Sequence, residues 1–154
     1  MLFNQIYMLT RRLEREKKLS GIRVDIRKEI INDFRNYFEF DLTNDQLNCL
    51  DEVLNDLSKN VPMRRMLQGE VGSGKTLVAL ISLFAVINSG LQGAMMAPTE
   101  ILAEQHYLNI IKNFIGEPFL DYDKSISKIV LPGLLNKQIV VALLTGSQTT
   151  NYKK

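Results

Sequence analysis

A glycine-rich stretch that ends in a lysine and a threonine offers the clearest chemistry in this sequence. It has a glycine, four further residues and then Gly-Lys-Thr, which is the pattern of a phosphate-binding loop. Glycines let successive backbone N–H groups turn toward a polyphosphate without Cβ clashes. Lys75 would reach the β- and γ-phosphates, and the Thr76 hydroxyl would offer an oxygen to Mg²⁺. The predicted phosphate-binding residues are Gly69, Glu70, Val71, Gly72, Ser73, Gly74, Lys75 and Thr76.

The flanking elements decide between such a loop and a glycine-rich turn that happens to precede Lys-Thr. Residues 63–68 lead into the loop and are predicted to form a strand, although they carry charge. A helix is predicted from about Lys75 to Asn88, with Gly90 as its C-terminal stop. A loop between a strand and a helix has the context that phosphate binding requires, so the flanks favour the functional interpretation.

Two further apolar runs extend this alternation of strand and helix. Residues 93–97 are short and apolar, as expected for a buried parallel strand. Thr99 is positioned to cap the helix that follows. Residues 138–144 are rich in β-branched side chains and predict a third strand, whereas the apolar stretch at 126–135 leaves its type open. The alternation of strands and helices along the chain predicts an α/β fold with a parallel sheet and flanking helices.

Composition places the chain among ordinary globular proteins. It has 154 residues, of which 45% are hydrophobic and 23% charged, with a net charge of +2. That charge is too small to argue for nucleic acid by itself. No run is long enough to span a bilayer, no signal peptide is visible, and Cys49 is the single cysteine. A cytoplasmic location is therefore expected.

The first 38 residues are predicted to be a helical linker rather than a source of catalytic groups. Apolar residues recur there at helical spacing, and Asp25 is placed to cap a second helix. The mixed charges of residues 11–18 indicate a solvated helix face, with contact to a phosphate backbone as the alternative.

Thr43 and Gln46 allow two interpretations. Their spacing is that of a capping box at the start of a helix. Alternatively, the Gln46 amide could hydrogen-bond an adenine edge, because one amide both donates and accepts, and Phe40 could add a stacking surface. Taken alone, the cap is favoured; the position shortly before the phosphate loop strengthens the alternative.

Two kinds of chemical group are missing from the sequence: partners for a zinc site and a second acid for nucleotide hydrolysis. His106 is the only histidine and has no cysteine or histidine partner at ligand spacing, so it is expected to be a surface or packing residue rather than a zinc ligand. A nucleotide hydrolase also needs a second acid beside its Mg²⁺. Residues 124–154 contain no aspartate or glutamate, so the chain is expected to hold phosphate without a complete hydrolytic site.

Four motifs follow one another along the chain. They are Phe40-x-Leu42-Thr43-x-x-Gln46, Met63-x-Arg65-Met66-Leu67-Gln68 running on into the phosphate loop, Met96-Ala97-Pro98-Thr99-Glu100-Ile101-Leu102-Ala103-x-Gln105-His106, and Leu143-Leu144-Thr145-Gly146-Ser147. In this order and spacing they resemble the RecG family, bacterial ATP-dependent DNA helicases of superfamily 2 that remodel stalled forks and branched DNA in recombination and repair. The resemblance covers residues 38–148.

The resemblance implies a role for each motif. Phe40 and Gln46 would recognise adenine, and the phosphate loop would bind ATP with Mg²⁺. The two later motifs would contact a DNA backbone through Thr99, Gln105, Thr145 and Ser147. Residues 39–154 would then be an incomplete RecA-like helicase domain, preceded by the helical linker 1–38.

The departures from the family are also specific. The sequence lacks the family's wedge domain, DExH box and second motor domain. Glu39 stands where the family often has proline, and the stretch 116–137 is longer than expected. We therefore expect a helicase fragment that is not active alone. The alternative is a non-enzymatic remnant or interaction module that needs a companion chain with the missing motifs. A small P-loop kinase is disfavoured, because no lid or acceptor-binding arginine cluster follows the loop.

Overall fold

The chain divides after Gly93 into two units, 1–93 and 94–154, which are described separately. The structure is a computed structural model that describes residues 2–18, 20–26, 29–38, 41–115, 126–131 and 135–146.

The described residues of the first unit form four helices. They are α1 (Leu2–Lys18), α2 (Ile30–Phe38), α3 (Asn44–Leu57) and α4 (Lys75–Asn88). The α4 sequence is almost wholly apolar, so it can be buried on several sides at once, and it packs against both α2 and α3. The Phe34 and Phe84 rings join α2 to α4 with their centroids 5.7 Å apart. The buried apolar side chains of this unit are Val24, Ile30, Phe34, Leu42, Leu50, Val78, Ile81, Phe84 and Ala85.

The segment between α1 and α2 corrects one prediction. Asp25 does not cap a helix, because α2 begins at Ile30. Instead the backbone around Asp25 lies along the end of α3, where Val24 N–H donates to the Leu57 carbonyl at 3.0 Å. The Asp25 carbonyl accepts from Ser89 Oγ at 2.6 Å. These contacts hold the segment outside a helix.

The capping box at the start of α3 is confirmed. The Thr43 hydroxyl accepts from the Gln46 backbone N–H at 3.3 Å, and Gln46 Oε1 accepts from the Thr43 N–H at 3.0 Å. Both bonds satisfy N–H groups that a helix start otherwise leaves unpaired. The cap therefore fixes both the first turn of α3 and the position of the Gln46 side chain.

Thr43→Ala is expected to lower the free energy of unfolding by about 1 kcal/mol, because the Gln46 N–H loses its acceptor. Thr10→Ala is the matched control. The Thr10 hydroxyl donates to the Ile6 carbonyl within α1 and caps nothing, so its loss should change stability by less than about 0.5 kcal/mol. Urea denaturation measures both; equal changes would contradict the cap's contribution.

The second unit combines one helix with a hairpin. The helix is α5 (Glu100–Ile115), and the strands are β1 (Ile126–Leu131) and β2 (Leu135–Ala142). The strands run antiparallel, with Ile126 opposite Ala142 and a register irregularity between Val130 and Leu131. A connection as short as that from Leu131 to Leu135 suits an antiparallel pair, because parallel strands need a long crossover.

The predicted parallel sheet is not formed among the described residues. Their one sheet is the antiparallel pair of β1 and β2, and the third predicted strand belongs to it, ending at Ala142 instead of Leu144. Segments 63–68 and 93–97 have no strand assignment. Met66 and Met96 are 92% and 95% exposed. Parallel strands are stable when neighbouring strands and helices cover them, and these segments have no strand beside them in the described part of the chain.

The N-terminal helix is amphipathic, yet its apolar side chains are exposed. The exposed residues of α1 include Leu2, Phe3, Ile6, Leu9 and Leu13. Among the described helices, none has the length and apolar character required to cross a bilayer.

The predicted division at residues 38 and 39 stays a prediction, although Phe34 packs on Phe84 across it.

Candidate phosphate-binding site

The predicted phosphate loop forms the entry to α4. Gly72 and Gly74 have φ values of +82° and +81°, in the left-handed region that favours glycine. Gly74 is the N-cap of α4, and its carbonyl accepts from the N–H groups of Leu77 and Val78 at 3.0 and 3.2 Å. Together the two glycines reverse the chain, so that the loop ends at the N-terminus of a helix. That end of a helix carries a partial positive charge suited to an anion.

The Lys75 side chain folds back across the loop. Its Nζ donates to the Gly69 carbonyl at 2.8 Å and to the Glu70 carbonyl at 2.5 Å. The ammonium group is therefore held over the loop by two neutral acceptors and has no carboxylate partner in the described residues. A polyphosphate in the loop would meet a positive charge already in place.

Neighbouring side chains lie close to two glycines of the loop. A Cβ at Gly69 would lie 2.6 Å from Ser73 Oγ. A Cβ at Gly74 would overlap the Gln46 Nε2 atom, whereas a Cβ at Gly72 would meet nothing within 4 Å. The Ser73 and Gln46 side chains therefore occupy the space beside Gly69 and Gly74, whereas Gly72 is open. At Gly72 the backbone itself can approach a phosphate group.

Gln46 connects the start of α3 to this loop. Its Nε2 donates to the Ser73 carbonyl at 3.1 Å, while its Oε1 accepts from the Thr43 N–H. An amide has two N–H donors and two acceptor positions, so one of each is still available to a ligand. The sequence did not predict the contact with Ser73, because it joins residues 27 positions apart.

Thr76 is exposed at the second residue of α4. The described residues contain no group of three or more histidine, cysteine, aspartate or glutamate side chains that could hold a metal ion. Mg²⁺ in nucleotide sites keeps several waters and is bound by one or two protein oxygens together with the phosphates. One exposed hydroxyl beside the loop fits that mode and does not fit a cage built from protein carboxylates.

The residues predicted to contact DNA lie in the second unit. Thr99 Oγ1 accepts from the Leu102 N–H at 3.3 Å and thus serves the first turn of α5, on which Gln105 is exposed. Thr145 is buried, with 8% of its surface exposed. Ser147, and Phe40 of the first unit, lie outside the described residues. His106 is half-buried on α5, in keeping with the packing interpretation.

A charged cluster beside α3 was not predicted. Arg65 donates from Nε to Asp56 at 2.5 Å and from Nη1 to Glu52, and Lys59 binds the second oxygen of Asp56 at 2.7 Å. The hydrogen bond from Arg65, followed by that from Lys59, holds the pKa of Asp56 below its usual value. The bond to Asp56 likewise raises the pKa of Arg65. The detectable signal was the spacing of two carboxylates four residues apart on a helix.

Comparison with known proteins gives a consistent result. A family model described as DEAD/DEAH box helicase matches residues 43–147. Several relatives named "ATP-dependent DNA helicase RecG" are similar to the chain. The protein of Aquifex aeolicus is 42% identical over 138 residues, which are 90% of this chain and 15% of the relative. That of Borreliella burgdorferi is 43% identical over 132 residues, 86% of this chain and 17% of the relative. That of Bacillus subtilis is 46% identical over 114 residues, 74% of this chain and 17% of the relative.

The chain thus spans between 15% and 17% of the length of these relatives. In each of them the matched segment lies within one longer chain, which gives no support to a separate companion chain. No solved structure matches. The family match implies a RecA-like fold for residues 43–147.

Proposed function

Because this chain belongs to the DEAD/DEAH box helicase family, we propose that it is the part of a RecG-like, ATP-dependent DNA helicase that binds the phosphates of ATP. The proposal assigns phosphate binding to residues 69–76, adenine recognition to Gln46 and Phe40, and contact with the DNA backbone to Thr99, Gln105, Thr145 and Ser147. Hydrolysis and strand separation would require parts of the longer relatives that this chain does not match.

The position of Lys75 is the observation that carries the proposal. Its ammonium group lies over a glycine loop at a helix N-terminus, held by the carbonyls of Gly69 and Glu70. Backbone N–H groups, the helix end and one lysine are the usual means of neutralising a triphosphate. In the described residues no acidic side chain pairs with this lysine, so its charge is available to the β- and γ-phosphates.

Mg²⁺ is the second cofactor that we propose. When bound, it would neutralise charge on the β- and γ-phosphate oxygens. Of this chain's side chains, Thr76 would contribute one oxygen, and the phosphates and water would supply the others. The chain's own contribution is therefore to position the triphosphate, through the loop and Lys75.

The finer features of the helicase are part of the same proposal. Segments 63–68 and 93–97 would be strands of the RecA-like parallel sheet, which need further strands beside them to complete their ladders. Forked or branched DNA, in recombination and repair, would be the substrate of the whole enzyme. The resemblance of the motifs and the name of the relatives, ATP-dependent DNA helicase RecG, support this part of the proposal.

Gln46→Met should reduce the preference for adenine over guanine nucleotides by about 30-fold, because two hydrogen bonds of about 1 kcal/mol each are the expected source of discrimination. Binding of a fluorescent adenine nucleotide with Mg²⁺, with ATP and GTP as competitors, measures the preference.

Thr43→Ala is the control for this experiment. It removes the other half of the capping box, the bond from the Gln46 N–H to the Thr43 hydroxyl, and keeps the Gln46 amide with its bond to the Thr43 N–H. The preference for adenine should therefore persist. A wild-type protein without any adenine preference, or a Gln46→Met variant that keeps it, would contradict the assignment of Gln46.

A further inference from the structure

The segment that leads into the phosphate loop is held by side chains instead of by a sheet. Residues 62–70 have no helix or strand assignment, and within the described chain no strand pairs with them. At their centre Arg65 forms two ion pairs with α3, to Glu52 and to Asp56. Glu52 and Asp56 lie four residues apart and so share one face of the helix. The guanidinium can span both carboxylates because its donors form a rigid planar fork.

The same helix also holds the other end of the segment. Gln46, in the first turn of α3, donates to the Ser73 carbonyl of the phosphate loop at 3.1 Å. Ten residues of helix separate Gln46 from Asp56, a distance of about 15 Å along the axis. The chain from Arg65 to Ser73 is therefore bonded to α3 at both ends. Gln46 is bonded directly to the phosphate loop, whereas Arg65 is bonded to α3 at a point before the loop begins.

We propose that Arg65 is a positioning residue of the nucleotide site. Its two ion pairs fix the register of segment 65–73 against α3, and thereby fix the Gln46 amide relative to the phosphate loop. The inference rests on the proposed function, because it concerns the distance between the base-binding and phosphate-binding groups. A ligand with both a base and a triphosphate depends on that distance; a triphosphate without a base does not.

The matching experiment compares two ligands, ATP and inorganic tripolyphosphate, by calorimetry with Mg²⁺ present. The informative quantity is the ratio of the two affinities. Arg65→Gln should lower the ratio of ATP affinity to tripolyphosphate affinity by about three- to fivefold. This is the effect expected from the loss of partly exposed ion pairs. Affinity for tripolyphosphate should stay unchanged. Arg65→Lys should give an intermediate ratio, because an ammonium group lacks the fork that reaches both carboxylates.

Arg64→Gln is the matched control. Arg64 is the exposed neighbour of Arg65, and no ion pair involves it in the described residues, so the ratio should not change. The double variant Glu52→Gln/Asp56→Asn should reproduce Arg65→Gln, and combining all three substitutions should have no additional effect. Thermal unfolding of each variant monitors the fold.

The outcomes separate this inference from the proposed function. An Arg65→Gln protein that loses affinity for both ligands equally would show a merely structural role and overturn the inference. An unchanged ratio, in a wild type that binds ATP through Lys75, would also overturn it and leave the proposed function standing. A folded wild type that binds neither ligand would overturn both.

Discussion

Replacing Lys75 with alanine is expected to lower affinity for ATP by about 100-fold, because losing one charged hydrogen-bonding partner costs up to about 3 kcal/mol. The ammonium group lies over the loop, bonded to the carbonyls of Gly69 and Glu70. With alanine, the triphosphate would lose the one lysine charge in the loop and keep the backbone N–H groups and the Mg²⁺ bound through Thr76. Calorimetric titration of ATP with Mg²⁺ measures the difference.

The fold should survive this substitution. The Gly69 and Glu70 carbonyls belong to exposed residues, so water can replace the lysine, and stability should change by less than about 0.5 kcal/mol. Lys112→Ala, at an exposed position on α5, makes the same change in net charge and should leave ATP affinity unaltered. Equal affinities of the wild type and Lys75→Ala would remove the basis for assigning residues 69–76 to ATP.

A second large effect is expected at Gly74. Gly74→Ala should lower the free energy of unfolding by about 2 to 3 kcal/mol, from left-handed strain of about 1 to 2 kcal/mol and a displaced hydrogen bond of about 1 kcal/mol. The new methyl group would overlap Gln46 Nε2, which donates to the Ser73 carbonyl. Preference for adenine should fall in the same variant, because Gln46 must move.

Gly72 provides the matched comparison. Its φ of +82° is nearly that of Gly74, but a Cβ there meets nothing within 4 Å. Gly72→Ala should therefore cost only the strain, about 1 to 2 kcal/mol. In a Gln46→Ala background the overlap at Gly74 disappears, and Gly74→Ala should then cost no more than Gly72→Ala. Urea denaturation of the ligand-free variants tests this; equal costs in the original background would refute the role of the overlap.

Local features of the sequence were predictable because their causes are local. The helix from Lys75 to Asn88 and the capping box of Thr43 and Gln46 are confirmed. Each follows from residues within one turn of the feature: apolar side chains at helical density, a glycine that can adopt positive φ, and a hydroxyl three residues before an amide.

Features that depend on distant residues were predicted less well. Segment 63–68 was predicted to be a strand from its place before the phosphate loop, and segment 93–97 from its apolar residues. A strand also needs a partner, and neither signal shows which partner is present. The contact between Gln46 and Ser73 and the ion pairs of Arg65 also join distant residues. For Arg65, the two carboxylates on one face of α3 were a usable signal of an ion-pair partner. The prediction of a strand at residues 63–68 did not include such a contact.

The bonds of Lys75 to Gly69 and Glu70 have a consequence for the entropy of nucleotide binding. A lysine side chain has rotamer entropy worth about 2 kcal/mol, which is lost when the side chain becomes ordered. Here the ammonium group is bonded to two carbonyls of the loop itself, so that loss accompanies folding of the loop. Binding would exchange two carbonyl acceptors for phosphate oxygens without immobilising a free side chain. The association of a triphosphate with this loop should therefore show a smaller entropic penalty than association with a loop whose lysine is disordered.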